Sequence, residues 1–258
     1  MLIKIRNINI NYVRYGTKSK NTIVLLHGWG QNIEMMQPLG NAFQDTNDIV
    51  ILDLPGHGLS EEPEEILEVP DFVEIVKGLL DYLNVTNPIL IGHSFGGKIS
   101  LLYASKYPVK KLVLLASAFK QEIKKISFKT KMLKQLKKVP GLNQLEEFAK
   151  KHIGSVDYRN ASPKMREILV KTVNYDITNE VSKIQCPTLI IWGTEDEALP
   201  VEEAYELEKL IPDSGVVIYE GCTHYAYLER LNQTIRVLDS FLKEEWFYET
   251  KIYYIFIN

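Results

Sequence analysis

The stretch Gly92-His93-Ser94-Phe95-Gly96-Gly97 sets one serine between glycines. An apolar run, residues 88–92, precedes it and a helix-like run, residues 98–105, follows it. That order predicts a strand turning sharply into a helix through G-x-S-x-G, a turn that lifts a serine hydroxyl clear of the backbone as a nucleophile. Gly92 and Gly96 suit the turn because a Cβ at either place would collide with the neighbouring strand or helix. The turn also points the N–H of Phe95, at the helix N-terminus, towards any oxyanion formed beside the serine. The pentapeptide alone describes a plain Gly-Ser connection equally well, so the remaining groups must come from elsewhere in the chain.

A serine hydroxyl is a weak nucleophile and needs a base within hydrogen-bond reach. The chain has five histidines: His27, His57, His93, His152 and His224. His93 adjoins Ser94, but strand alternation turns its side chain to the opposite face. His27 and His57 lie in glycine-rich turns and are expected to brace them, and His152 lies in a lysine-rich insertion. His224 follows the last strand-like run through Glu220-Gly221-Cys222-Thr223. In a parallel sheet that position shares the carboxyl edge with the serine turn, where ligands bind. His224 is therefore the expected base. Its acid partner must come from the turn after strand 186–192, where Glu195, Asp196 and Glu197 compete. The order Ser…Asp…His selects Asp196, with the two glutamates as alternatives. A second oxyanion donor is expected from His27-Gly28-Trp29-Gly30, at the N–H of Trp29, with the indole lining the pocket.

The elements that position these groups follow from the pattern of apolar residues. Residues 2–15 alternate as two antiparallel strands with a turn at 7–9. Runs 22–26, 49–53, 88–92, 111–116, 186–192 and 215–219 are strands, several of them continuously apolar as in a sheet covered on both faces. Helices are expected over 33–43, 71–83 with Asp71 as its cap, about 98–107, 200–211 and 226–245. Alternating strands and helices with short connections define an α/β sheet with helices on both faces. The alternation breaks from 117 to 183, where residues 120–151 carry ten lysines against three acidic residues. That insertion reads as a helical cap on a core formed by 1–116 and 184–245, and a tail of no evident role spans 246–258.

With 258 residues, 45% of them hydrophobic, the chain can bury a large core. A net charge of −3 predicts no attraction to nucleic acid. Two cysteines make no disulfide framework. The N-terminal residues lack the apolar run of a signal peptide, and no run reaches the length of a membrane span. A cytoplasmic protein is the expectation.

Taken together, residues 27–30, Asp53-Leu-Pro-Gly-His-Gly-Leu-Ser60, Gly92–Gly97, Trp192-Gly-Thr-Glu-Asp196 with Pro200, and His224 with Glu229 resemble the α/β-hydrolase superfamily, in particular its capped, esterase-like members. The resemblance covers residues 1 to about 245. It implies a mostly parallel, eight-stranded twisted sheet, a helical cap between strands six and seven, and neither metal nor organic cofactor. It also implies a catalytic triad of Ser94, Asp196 and His224 with Trp29 and Phe95 as oxyanion donors. Trp29, Phe119 and Tyr225 are expected at the substrate site, with core packing as the competing assignment for Phe119. The chemistry so implied is hydrolysis of a carboxylic ester or related acyl compound through an acyl-enzyme. Similarity also extends to triad-based lyases, synthases and C–C hydrolases such as those of menaquinone synthesis, to carrier-protein methyl esterases, and to receptors of this fold. The partner expected is a small acyl substrate, with an acidic partner at the lysine-rich cap as a further possibility. Thr223 and the Arg230-Leu231 pair depart from the usual residues around the histidine.

Overall fold

A computed structural model of the chain describes residues 1–18, 21–121, 159 and 161–243. Eight strands form one sheet: β1 (Leu2–Ile5), β2 (Ile8–Gly16), β3 (Thr22–Leu26), β4 (Asp48–Leu52), β5 (Ile89–His93), β6 (Lys111–Leu115), β7 (Thr188–Gly193) and β8 (Ser214–Tyr219). Their order across the sheet is β1-β2-β4-β3-β5-β6-β7-β8. The pairs β1/β2 and β2/β4 are antiparallel, and every pair from β4 to β8 is parallel. The carboxyl ends of β3 to β8 therefore share one edge.

Eight helices are described: α1 (Ile33–Phe43), α2 (Val69–Tyr82), α3 (Phe95–Ala104), α4 (Pro163–Asn174), α5 (Thr178–Val181), α6 (Glu202–Leu210), α7 (Ala226–Glu229) and α8 (Leu231–Leu242). The central strands are buried along their whole length and mostly apolar because both sheet faces are covered. Val24, Leu26, Leu90, Leu112, Leu114, Ile190 and Trp192 point into a core shared with α2, α3, α4 and α6. Their alternates Ile23, Leu25, Ile91, Val113, Leu115 and Ile191 point into a second core shared with α1 and α8.

Local structure differs from expectation at a few boundaries. The β1/β2 turn is Arg6-Asn7, with φ of 46° and 65°, so the polar residues that follow already lie in β2. Helix α2 starts at Val69, because Pro70 needs no N–H partner in a first turn. Asp71 serves from the third position, its Oδ2 accepting the Glu68 N–H at 2.9 Å. Helix α3 starts at Phe95, directly after Ser94, and the helix expected over 226–245 is interrupted at Arg230.

The expected cap is described only at its ends, and both ends pack on the core. Phe119, Met165, Ile168, Ile177 and Val181 belong to the same buried cluster as the sheet. The Ile177 N–H donates to Phe119 O at 2.9 Å, and the Lys98 ammonium donates to Thr172 O and Tyr175 O at 3.1 and 2.9 Å. Residues 161–183 are thus anchored to the helix that follows Ser94. The lysine-rich stretch from 122 onward, His152 and the 246–258 tail lie outside the described residues. Among the described residues, no helix is long and apolar enough to cross a membrane.

Candidate active site

Ser94 sits between β5 and α3 with φ 51° and ψ −111°, a conformation that L-residues rarely adopt. Two hydrogen bonds hold it there: its N–H donates to Leu115 O at 3.0 Å, and its carbonyl accepts from Lys98 N at 3.1 Å. The glycines meet the steric demand read from the sequence. A Cβ on Gly92 would stand 2.5 Å from Ser100 Oγ and 2.6 Å from Gly96 O. A Cβ on Gly96 would stand 2.6 Å from His27 O and closer still to Leu26 O, both backbone atoms. Gly96→Ala should therefore push α3 away from the end of β3 and cost about 3 kcal/mol. Urea unfolding measures this directly.

Three carboxylates follow β7, and burial separates them. Glu195 and Glu197 are exposed, whereas the side chain of Asp196 is fully buried. Asp196 Oδ1 accepts the N–H groups of Ala198 and Leu199, both at 2.9 Å. Its Oδ2 lies 2.7 Å from His224 Nδ1. A carboxylate only accepts, so Nδ1 carries the proton and Nε2 is left free to act as a base. The loop bearing His224 is tied to the loop bearing Asp196 by Glu195 N to Cys222 O at 2.9 Å and Gly221 N to Thr194 Oγ1 at 2.9 Å. Glu229 braces it from the other side, accepting the Thr223 N–H at 3.0 Å and the Thr223 hydroxyl. Thr223, a departure from the usual pattern, thus supplies an extra tether for the histidine loop.

The structure brings Asp196 and His224 into contact and places Ser94 at the same sheet edge. Among the described residues no hydrogen bond joins Ser94 Oγ to His224. In sites without ligand such bonds are often long and tighten with substrate.

The 27–30 loop is ordered from beneath. His27 is buried; its Nε2 accepts the Leu54 N–H at 3.0 Å, so Nδ1 carries the proton and donates to Gly28 O at 2.7 Å. In a trans peptide the N–H points opposite to the carbonyl, so fixing Gly28 O fixes the direction of the Trp29 N–H. The Trp29 ring meets His57 edge-on at 4.8 Å and Phe95 at 5.4 Å. His57 Nδ1 lies 2.9 Å from Pro55 O, within its own turn.

His93 does more than turn away from the serine. It is buried, its ring centroid is 4.8 Å from that of His224, and its Nε2 lies 3.0 Å from His224 O. It braces the backbone of the expected base, a contact the strand pattern could not show. Burial pushes both His27 and His93 down to about 3, assisted by neighbouring histidines. Both are therefore neutral in the fold, while the unfolded chain binds protons at these histidines below about 6.5. Stability is full above that pH and falls as the pH drops towards 3. Going from pH 6.5 to 5 should cost about 2 kcal/mol for each histidine. Urea midpoints at pH 7 and 5 check this, and His93→Gln should remove its share.

Phe119, expected at the substrate site, is 1% exposed and lies in the core beneath α4 and α5, so it offers no surface to a ligand. Its position after β6 places it under the returning arm of the insertion. Tyr225 is 40% exposed and stands beside His93 and His224. Gln31, which no motif marks, donates from Nε2 to the Tyr225 hydroxyl at 3.3 Å. Among the described residues no group of three or more His, Cys, Asp or Glu could hold a metal ion.

The fold and the residues at its carboxyl edge define an α/β hydrolase. The chain belongs to the alpha/beta hydrolase fold family, which it matches over residues 21–153 and 143–231. It is 28% identical over 234 residues to the AB hydrolase superfamily protein YisY of Bacillus subtilis, covering 80% of this chain and 86% of that one. It is 27% identical over 255 residues to the mouse (Mus musculus) monoacylglycerol lipase ABHD6, covering 86% and 76%. Among solved structures, a putative lipase from Acinetobacter baumannii superposes with a TM-score of 0.74 at 25% identity, covering 94% of this chain and 90% of that one.

Proposed function

We propose that the protein hydrolyses a carboxylic ester or a related acyl compound, with Ser94 as nucleophile, His224 as base and Asp196 as the residue that orients the base and stabilises its imidazolium. The observation that carries this reading is the buried Asp196 carboxylate, 2.7 Å from His224 Nδ1, at the sheet edge that also holds the strained Ser94. His224 Nε2 takes the Ser94 proton as Oγ attacks the carbonyl carbon. The N–H groups of Phe95 and Trp29 receive the charge that develops on the carbonyl oxygen. The tetrahedral intermediate collapses, the carbonyl–alkoxy bond breaks, and the leaving alcohol takes its proton from His224. Water, deprotonated by His224, then attacks the acyl-enzyme and releases the acid. Phe95 N–H is the first donor of α3 and has no partner within its helix, which suits it to this role. The similarity to a monoacylglycerol lipase and to a putative lipase supports an ester as the bond cleaved.

Steady-state hydrolysis of p-nitrophenyl acetate and butyrate tests the reading. Saturable turnover that is lost in His224→Ala is the expected result. Turnover that survives that substitution would overturn it.

A further inference from the structure

Gln31 lies just past the 27–30 loop and joins it to the histidine loop. Its Oε1 accepts the Gly28 N–H at 3.0 Å and stands 3.2 Å from His93 Nδ1. Its backbone N–H donates to Gly28 O at 3.3 Å, closing the turn a second time. From the same carboxamide, Nε2 reaches the Tyr225 hydroxyl at 3.3 Å. Two routes thus run from Gln31 to the base. One passes through His93, whose other ring nitrogen is 3.0 Å from His224 O, and one through Tyr225, the next residue in the chain. The packing leaves no slack, since a Cβ on Gly28 would stand 2.9 Å from His93 Nδ1 and 3.2 Å from Gln31 Oε1. A neutral His93 has one N–H and faces two oxygens, so the Gln31 carboxamide and the His224 carbonyl compete for that proton.

We propose that Gln31 is a positioning residue that sets the spacing between the Trp29 N–H and the His224 imidazole. The proposal rests on the roles given above to Trp29 and His224. The two groups come from loops on opposite sides of β5, and each must meet the same reacting carbonyl. One side chain that holds the Gly28 peptide on one side and the 224–225 segment on the other keeps them in register. Its loss should act on the transition state, where both groups are engaged, more than on ground-state binding.

The test compares wild type, Gln31→Ala and the near-isosteric Gln31→Met on p-nitrophenyl butyrate, with urea unfolding of each. Both variants are expected to lower kcat about 10- to 100-fold with KM within about twofold, as misplacement of catalytic groups does. Gln31→Met preserves volume and should keep the unfolding midpoint near that of wild type. Full kcat in folded Gln31→Met overturns the proposal alone, as does a kcat loss matched by an equal rise in KM. Wild type that shows no Ser94-dependent turnover overturns both the proposal and the reading on which it rests.

Discussion

Ser94→Gly is expected to make the protein more stable and to leave it without measurable turnover. Ser94 holds φ 51° and ψ −111°, a region open to glycine and costly for a residue with a Cβ. Such strain costs about 1–3 kcal/mol, and glycine's greater loss of chain entropy returns about 0.5–1 of it. A net gain of about 1 kcal/mol is therefore predicted. Ser94→Ala is the control, because it removes the hydroxyl but keeps the Cβ and the strain, so its stability should match wild type. On the proposed mechanism both variants should lose turnover by at least about 10⁴-fold, since removing its nucleophile would leave only binding and the oxyanion site. Urea midpoints for the three proteins, read beside their ester hydrolysis, separate the strain from the chemistry.

The second large effect is one of folding. Asp53 is 2% exposed at the end of β4, and three segments converge on its carboxylate. Oδ1 accepts the Ile33 N–H, the first donor of α1, at 2.8 Å. Oδ2 accepts Asn11 Nδ2 at 2.8 Å and the Leu59 N–H at 2.9 Å. One side chain thus ties together α1, β2 and the 54–60 loop beneath the Trp29 turn. Asp53→Ala leaves three donors without their acceptor, two of them in bonds buried from water. At about 1–3 kcal/mol for each of the two buried donors left unpaired, the cost is about 2–6 kcal/mol, a large share of a domain's stability. Asp53→Asn keeps one acceptor but sets an NH₂ group against at least one of those donors. It should cost about half as much. Urea unfolding of both variants at pH 7 gives the comparison, and equal stability of Asp53→Ala and wild type would refute it.

The sequence carried the fold well where burial leaves a pattern. Runs such as 23–26 and 112–115 are apolar at every position because alternate side chains enter one or the other of two cores, and the structure has strands there. Glycine spacing placed the serine turn because the collisions at Gly92 and Gly96 are with adjacent elements. Choosing among Glu195, Asp196 and Glu197 needed motif order, since burial of one carboxylate between two exposed ones leaves no mark in composition.

What stayed illegible depends on contacts between distant residues. Gln31 and Tyr225 are 194 positions apart, and no periodicity links a glutamine to a tyrosine at that range. His93 could be excluded as a base by strand alternation, yet its hold on the His224 carbonyl depends on how the β8 loop folds over β5. Asp53 belongs to a recognisable motif, but its three donors come from three separate segments. The insertion shows the same gap: apolar residues at 165, 168, 177 and 181 mark a buried face, but their spacing does not say whether a cap or the main core covers it.

The central claim is that Ser94 becomes covalently acylated. Wild type and Ser94→Ala would be mixed with p-nitrophenyl butyrate, quenched in acid within the burst phase, and digested for peptide mass spectrometry. The account predicts a butyryl group on the peptide containing Ser94 in wild type, assigned to Ser94 by fragmentation and absent from the variant. Steady hydrolysis by wild type with Ser94 unmodified at every quench time, or equal hydrolysis by Ser94→Ala, would contradict it.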